Sequence, residues 1–255
     1  MKVSRGMAAA MAMLMSVSFA APTPASVKTL DVGAFVSTDR HLTEPQKQWA
    51  LAVPAVLTEA NRERHDLLGG RDLTPANTHD KQVMLRSWWS VSDKSGLRKA
   101  LRWLGSEGHR KEFEEVGAAI NGLNEDQYQQ LLLRVENDPE RRHQLQVARK
   151  YYPQLGSKGI AGWDYARYIF LCRSGYLAQY LTENEAWNCI MPAALLAQRT
   201  FGSWKELGES YLIGRQFWSF DQTLRDGDDF EVAYETLLRD RGSPWNRLQW
   251  KLKLR

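Results

Sequence analysis

The stretch that decides the fold runs from Gly162 to Trp218, GWDYARYIFLCRSGYLAQYLTENEAWNCIMPAALLAQRTFGSWKELGESYLIGRQFW. Two capping-box patterns divide it, Thr182-Glu183-Asn184-Glu185 and Ser203-Trp204-Lys205-Glu206. In a capping box, the first side chain accepts from a free backbone N–H and the glutamate reaches back to the cap. Helical apolar spacing follows each box. The stretch therefore predicts three successive helices, at 163–181, 183–200 and 204–218.

Similar helix starts recur along the rest of the chain. Thr43-Glu44-Pro45-Gln46 is a third capping box, Ser92-Asp93 and Asn124-Glu125-Asp126 are typical caps, and Asp138-Pro139-Glu140 places proline at the first helical position. No run shows sustained strand alternation. We therefore expect an all-α fold of roughly nine to ten short helices. Because the loops between them are short, neighbouring helices should pack against each other as a compact multi-helix bundle. The further helices are predicted at 44–63 with a kink at Pro54, 80–89, 93–104, 109–120, 125–136, 139–151 and 230–239, before an irregular end.

The N-terminus has the three-part pattern of a secretory signal. Lys2 and Arg5 form a positive start, an apolar run follows at 7–19, and Ser18-Phe19-Ala20 is a small-x-small exit. We predict a signal peptide at 1–20, with Ala25 as an alternative cleavage site. An extended segment at 21–40 and a single helical domain at 41–255 follow it. The apolar run is shorter than the ~20 residues of a membrane span, so we expect a periplasmic or secreted protein with no stable membrane insertion after cleavage.

Charge argues against a nucleic-acid partner. The whole chain carries a formal charge of +4, and removal of the predicted signal leaves 32 basic against 30 acidic residues. Nucleic-acid binders normally present a basic face, whereas Arg and Lys alternate here with Asp and Glu along nearly every predicted helix.

We also expect no metal and no cofactor. His41, His79 and His143 have no zinc-ligand spacing with one another or with the two cysteines. Cys172 and Cys189 leave two alternatives open. They form a disulfide in an oxidising compartment if their Cα atoms lie within roughly 7 Å, or they are two buried thiols on adjacent helices.

The first candidate cluster lies on the three helices of the opening stretch. Residues of one apolar stripe recur at helical spacing in 163–181, and Asp164, Arg167 and Tyr168 lie beside that stripe. The functional interpretation is a polar pocket that is walled by tryptophans and binds an anionic group through guanidinium forks. The alternative is an inter-helix ion-pair network that fixes register. The stripe is Trp163, Ala166, Phe170, Leu177 and Leu181, and the binding candidates are Asp164, Arg167, Arg173, Glu185, Trp187, Arg215 and Trp218.

Two further clusters contain histidine. His65 and Asp66 precede Gly69-Gly70, and His109 and Arg110 follow Gly108 at a junction between two helices. An imidazole beside a carboxylate is typical of acid/base catalysis. A cap or turn is the alternative interpretation of each cluster.

Together these residues resemble the bacterial domain-of-unknown-function 1266 family. The resemblance is strongest over 160–218 and implies a helical fold without any catalytic assignment. Members of that family commonly lack an obvious export signal, so the leader of this chain is a departure from it. The residues that carry the resemblance are Arg64-His65-Asp66, Gly108-His109-Arg110, Gly162-Trp163-Asp164, Arg167, Arg173-Ser174-Gly175-Tyr176, Glu185-Ala186-Trp187, Ser203-Trp204 and Tyr211-Leu212-Ile213-Gly214-Arg215.

Three functional hypotheses follow. The first is an exported, non-catalytic binding module that engages an unknown protein or a small anionic ligand through its Trp and Arg side chains, the residue types that dominate binding hot spots. It fails if most of these tryptophans are fully buried and internal carboxylates saturate the arginines. The second is a hydrolase with Asp164 or Asp66 paired to His65 or His109. The third is a purely structural scaffold.

Overall fold

A computed structural model describes residues 42–254 of the chain. The predicted signal peptide, the 21–40 segment and His41 lie outside this range. No strand occurs between residues 42 and 254, which confirms the all-α prediction. The α-helices are α1 (Glu44–Ala52), α2 (Ala55–Ala60), α3 (Pro75–Trp89), α4 (Lys94–Ser106), α5 (Gly108–Asn121), α6 (Glu125–Arg134), α7 (Pro139–Leu155), α8 (Ala161–Leu177), α9 (Glu183–Thr200), α10 (Trp204–Trp218), α11 (Phe220–Arg239) and α12 (Pro244–Arg247), with a 3-10 turn at Gly156–Lys158.

Helix α8 is the centre of the fold. It packs against α2, α3, α4, α5, α9 and α10, and Tyr176 is its one residue that is not buried. The predicted apolar stripe is buried, but so is the rest of the helix, because neighbours cover it on every side. Asp164, Arg167 and Arg173 are therefore buried polar side chains. Such groups need partners inside the protein.

Most of the predicted caps form. The boxes of Thr43 with Gln46, Asn124 with Gln127 and Thr182 with Glu185 are all present. Ser203 accepts from the Glu206 N–H at 3.2 Å. The Glu206 carboxylate, however, accepts from the N–H of Gly202 and pairs with Lys158. The predicted box of Ser203 with Glu206 is therefore only half formed.

Several helix bounds differ from the prediction, because local caps and turns were missed. Helix α3 begins at Pro75, five residues early, since Thr74 accepts from the Asn77 N–H at 3.2 Å. Ser219 caps α11 in the same way, so that this helix begins ten residues early and bends at Asp226. The predicted irregular end contains α12.

Three predicted helices end earlier than expected, of which 125–136 ends two residues early, at Arg134. The first predicted helix, 44–63, is divided at Pro54 and ends at Ala60, where Arg62 has a φ of +53°. The 163–181 helix ends at Leu177, and Gln179 has a φ of +61°. Left-handed residues end a helix because they turn the chain out of its axis.

Four tryptophans join the two ends of the described chain. Trp49 and Trp204 donate to the carbonyls of Gln249 and Leu248. Trp245 donates to Ala52 and Trp250 to Phe201, and the four rings contact one another. These indoles have every donor satisfied and a structural role. Among residues 42–254, no helix is long and apolar enough to cross a membrane.

Candidate functional site

Asp164 on α8 binds the N-terminus of α5. Its Oδ1 accepts from the backbone N–H of His109 at 3.1 Å, and its Oδ2 accepts from that of Arg110 at 2.9 Å. Both N–H groups belong to the first turn of the helix, where donors lack intrahelical partners and an anion is favoured. Gly108 allows this close approach. Its φ is +60°, and a Cβ there would lie 2.1 Å from Asp164 Oδ2.

Arg110 completes the neutralisation of Asp164. Its Nη1 donates to Asp164 Oδ2 at 3.0 Å and to the Leu104 carbonyl, and its Nη2 donates to the Gly105 carbonyl. The side chain therefore ties the last turn of α4 to the central helix. Burial alone would raise the pKa of Asp164, but His109 and Arg110 outweigh that cost and hold the pKa below its usual range. Asp164 is 0% exposed, so it is an internal anchor.

Arg167 lies one turn along α8 and is held by aromatic rings. Its guanidinium carbon lies 4.3 Å from the ring centre of Trp89, 4.5 Å from that of Trp163 and 5.8 Å from that of Trp218. Within residues 42–254 it makes one hydrogen bond, from Nη1 to His109 Nδ1 at 2.9 Å, and no ion pair. Burial lowers the pKa of Arg167 to about 10, so the group stays charged at neutral pH.

His109 lies between these two charged side chains. Its Nδ1 accepts from Arg167 and therefore carries no proton, and its distance of 3.7 Å from Asp164 Oδ1 is too long for a hydrogen bond. The ring packs edge-on against Trp103 at 5.0 Å. Burial lowers the pKa of His109, and the positive charge of Arg167 lowers it further against the opposing effect of Asp164. The imidazole is neutral near pH 7.

Two buried donors beside Arg167 have no hydrogen-bond partner among the described residues. They are Trp163 Nε1 and the Tyr211 hydroxyl, and the two rings lie 5.1 Å apart. Trp163 also contacts Trp218 and stacks on the Arg167 guanidinium. We call Trp89, His109, Trp163, Arg167, Tyr211 and Trp218 the Arg167 cluster. Trp89, His109 and Trp218 are only half-buried, so the cluster lies directly beneath the surface.

Arg173 belongs to a different part of the molecule. Its guanidinium donates to the Thr58 hydroxyl and to the carbonyls of the loop after α2, at Arg64, Leu67 and Leu68. The loop is further closed by Glu63, whose carboxylate pairs with Lys81 at 2.5 Å. Both side chains of this pair are buried. Arg173 is thus saturated and has a structural role.

The polar partners of Arg215 also lie outside the Arg167 cluster. It pairs with Asp226 at the bend of α11, donates to the Gln222 carbonyl and stacks on Phe230 at 3.9 Å. The sequence placed Asp164 and Arg215 as candidates for one pocket. In the structure Asp164 pairs with Arg110, whereas Arg215 pairs with Asp226.

The remaining candidates are scattered. Glu185 pairs with Lys94 and Arg98 beside a shallow depression of about 480 Å³. Trp187 is buried and donates to Glu183. His65 pairs with Glu59 at 2.8 Å, and Asp66 pairs with Arg64 in solvent.

Of the sequence-based candidates, the structure brings together His109, Arg110, Asp164, Arg167 and Trp218. Trp163, Trp187 and Trp204 are buried. Sequence reasoning missed Trp89 as a neighbour of Arg167 and Trp103 as a neighbour of His109, and it missed the Glu63–Lys81 pair. The position of Gly108 between two helices was a usable signal for the Asp164 contact, because a positive φ there places two N–H groups side by side.

No group of three or more His, Cys, Asp or Glu side chains in the described part of the chain could hold a metal ion. Cys172 and Cys189 are both buried free thiols. This is the second of the two alternatives for the cysteines.

Comparison with known proteins identifies the family. The model described as "Protein of unknown function (DUF1266)" matches residues 84–250, more than half of the chain. The chain belongs to this family. The matched region contains the whole Arg167 cluster with Asp164 and Arg110, whereas His65 and Asp66 precede it. The resemblance that the sequence predicted is confirmed.

Two curated relatives come from Escherichia coli (strain K12). The chain is 24% identical over 143 residues to the protein named "Uncharacterized protein YbeU" and 25% identical over 134 residues to "Uncharacterized protein YbeR". The matches cover 56% and 52% of this chain, and 60% and 56% of the relatives. The chain thus spans under two thirds of their length. No solved structure matches.

Proposed function

We propose that this DUF1266 protein is a non-catalytic binding module and that its contact site for an anionic group is the Arg167 cluster. The observation that carries the proposal is the state of Arg167. Within residues 42–254, this buried and charged guanidinium makes a single hydrogen bond, from Nη1 to His109, and cation–π contacts with aromatic rings. Other buried arginines of the fold, such as Arg173, are surrounded by acceptors.

The energetics of the cluster favour a ligand. The unsatisfied buried donors of the cluster, Trp163 Nε1 and the Tyr211 hydroxyl, each cost about 1–3 kcal/mol, and each cation–π contact of Arg167 contributes roughly 0.5–2 kcal/mol. The rings hold Arg167 through the face of its guanidinium and do not occupy its in-plane N–H donors, one of which, on Nη1, bonds to His109. An acceptor that reached the unpaired edge would gain charge-assisted hydrogen bonds that no described residue supplies.

The site also has the residue types of a binding surface. Trp89 and Trp218 are half-buried tryptophans, and a partly exposed indole beside an arginine is a common hot-spot arrangement. The expectation of a tryptophan surface on the 163–218 helices does not hold for Trp163, Trp187 and Trp204, which are buried. Trp218 is the half-buried member of that set, and Trp89, which was not part of the expectation, lies beside it on Arg167.

The hydrolase hypothesis has less support. Asp164 is 0% exposed, and its three N–H donors help to hold its pKa below the usual range, so it is out of reach of a substrate and a weak base. His65 pairs with Glu59 and not with Asp66. Neither carboxylate named in that hypothesis therefore forms an acid/base pair with an imidazole.

Intrinsic fluorescence tests the proposal, because three tryptophans contact Arg167. Sodium benzoate and sodium phosphate are titrated at constant ionic strength into the unmodified protein, Arg167→Gln and the control Arg199→Gln, which changes an exposed arginine of α9. We expect saturable signal changes for the unmodified protein and the control, and none for Arg167→Gln. Identical curves for all three proteins would contradict the proposal.

We further propose that the protein is exported, on the basis of the leader pattern at residues 1–20. The test is N-terminal sequencing of the mature protein after cell fractionation. We expect a periplasmic or secreted protein that begins at Ala21 or, by the alternative cleavage, at Ser26. An intact N-terminus in the cytoplasmic fraction would contradict export.

A further inference from the structure

The Arg167 cluster also restricts the chemistry of its ligand. We infer that it binds a monovalent carboxylate attached to an apolar body, in preference to a phosphate or sulfate group. The inference rests on the proposed function and deepens it. Three features of the cluster carry it: its net charge, the plane of its donors and the rings at its edge.

The net charge of the cluster matches one negative charge. Arg110 neutralises Asp164, and Asp226 neutralises Arg215. His109 is neutral, since its Nδ1 accepts from Arg167. Among the charged side chains of residues 42–254 in and around the cluster, Arg167 is therefore the single uncompensated cation. A carboxylate would balance it, whereas a phosphate group carries about −1.5 to −2 near pH 7 and would leave buried charge without a partner.

The donors have the geometry of carboxylate recognition. Trp89 and Trp163 lie at similar distances, 4.3 and 4.5 Å, from the guanidinium carbon. Rings that cover the guanidinium leave its edge as the direction for hydrogen bonds. The edge away from His109 presents Nε and Nη2, which form the planar fork that pairs with both oxygens of a carboxylate.

Two further donors belong to residues of the cluster. Trp163 Nε1 and the Tyr211 hydroxyl are buried without partners among residues 42–254. Trp163 stacks on Arg167, and the Trp163 and Tyr211 rings are in contact. A ligand oxygen that accepted from either donor would satisfy a buried group that the described residues leave unpaired.

The edge of the cluster favours an apolar body behind the carboxylate. The half-buried rings of Trp89 and Trp218 flank Arg167. Aromatic rims of this kind contribute to affinity mainly through apolar contact area. Benzoate should therefore bind more tightly than acetate.

Isothermal titration calorimetry at pH 7.5 and constant ionic strength tests the inference with benzoate, acetate and inorganic phosphate. We expect benzoate to bind at least about tenfold more tightly than phosphate, a ratio that one uncompensated buried charge can produce. Arg167→Lys keeps the charge but loses the fork, and should weaken benzoate binding by about tenfold or more. Tyr211→Phe should weaken it with the fold intact, which keeps the test valid if Arg167→Lys is unstable.

A free acid and a protein chain end would supply the same carboxylate. The tripeptide Ala-Ala-Phe with a free carboxyl end and the same peptide with an amidated end separate these sources. Tighter binding of the acid peptide than of benzoate identifies a protein partner, and the reverse identifies a small acid. Equal binding of the amidated peptide would overturn the carboxylate assignment.

The remaining outcomes separate the two proposals. If phosphate binds as tightly as benzoate and both depend on Arg167, the carboxylate assignment is overturned and the proposed function stands. If no probe depends on Arg167, both are overturned.

Discussion

His109 Nδ1 lies 2.9 Å from Arg167 Nη1 and accepts its hydrogen bond. This contact requires an unprotonated Nδ1. Protonation would replace the acceptor with a donor and place a second positive charge against the guanidinium. The burial of both side chains makes that change costly, so the protonation state of His109 is coupled to the stability of the fold.

The first prediction concerns pH. Because burial lowers the folded-state pKa of His109, the unfolded chain binds more protons than the folded protein between that pKa and the ordinary value of about 6.5. The contribution of the neutral His109 side chain to stability is therefore fully present above about pH 6.5. It is lost as the pH decreases towards the pKa of His109 in the folded protein. When the pH is lowered from 7.5 to 5, the melting temperature should fall less in His109→Gln than in the unmodified protein. His79→Gln, on an exposed residue, is the control, and equal pH dependence in all three proteins would refute the coupling.

The second prediction concerns Gly108. Gly108→Ala adds a Cβ 2.1 Å from Asp164 Oδ2 at a φ of +60°, so two costs combine. Gly156→Ala has a φ of +54° but nothing within 4 Å, and Gly122→Ala has open space with an ordinary φ. Gly108→Ala should lower the free energy of unfolding by about 3 kcal/mol or more, and Gly156→Ala by about 1 kcal/mol. Gly122→Ala should change it by about zero. Urea denaturation measures the series, and equal losses for Gly108 and Gly156 would show that the Asp164 contact is unimportant.

The third prediction separates a ligand donor from a structural one. The Tyr211 hydroxyl has no partner among the described residues, whereas the Tyr152 hydroxyl donates to Glu114 at 2.8 Å. Tyr211→Phe should leave the free energy of unfolding unchanged or raise it, and Tyr152→Phe should lower it by about 0.5–1.5 kcal/mol. A large loss for Tyr211→Phe would mean that its hydroxyl already supports the fold.

The fourth prediction concerns the buried Glu63–Lys81 pair. Lys81→Met leaves Glu63 buried without its closest partner and should cost about 3–5 kcal/mol, while the double variant Lys81→Met with Glu63→Gln should recover part of that loss. Lys205→Met removes a solvent-exposed partner of Glu209 and should change stability little. Additive losses in the double variant would show that the two charges do not depend on each other.

The fold class was predictable because caps and apolar spacing are local signals. Thr43, Asn124 and Thr182 mark helix starts through side chains within three residues of the start. The role of α8 was not predictable in this way. Its polar residues suggest a surface helix, and only its six neighbours show that Asp164 and Arg167 are buried.

The candidate site was predictable in part for the same reason. Asp164, Arg167 and His109 were all named from the sequence, but their partners are distant along the chain. Arg110 lies 54 positions from Asp164, and Trp89 lies 78 positions from Arg167. Trp89 has no local pattern that distinguishes it from the exposed Trp88. Long-range packing determines which of the two indoles covers the guanidinium.

The most direct test of the central claim is an NMR titration with benzoate at pH 7.5 that follows Arg167 Nε–H and Trp163 Nε1–H together. Trp245 Nε1–H, which donates to the Ala52 carbonyl, is the internal control. A carboxylate on the Arg167 cluster predicts that the first two resonances shift along one saturation curve while the third stays in place. Resonances of Arg167 and Trp163 that do not move, or that move no more than that of Trp245, would contradict the claim.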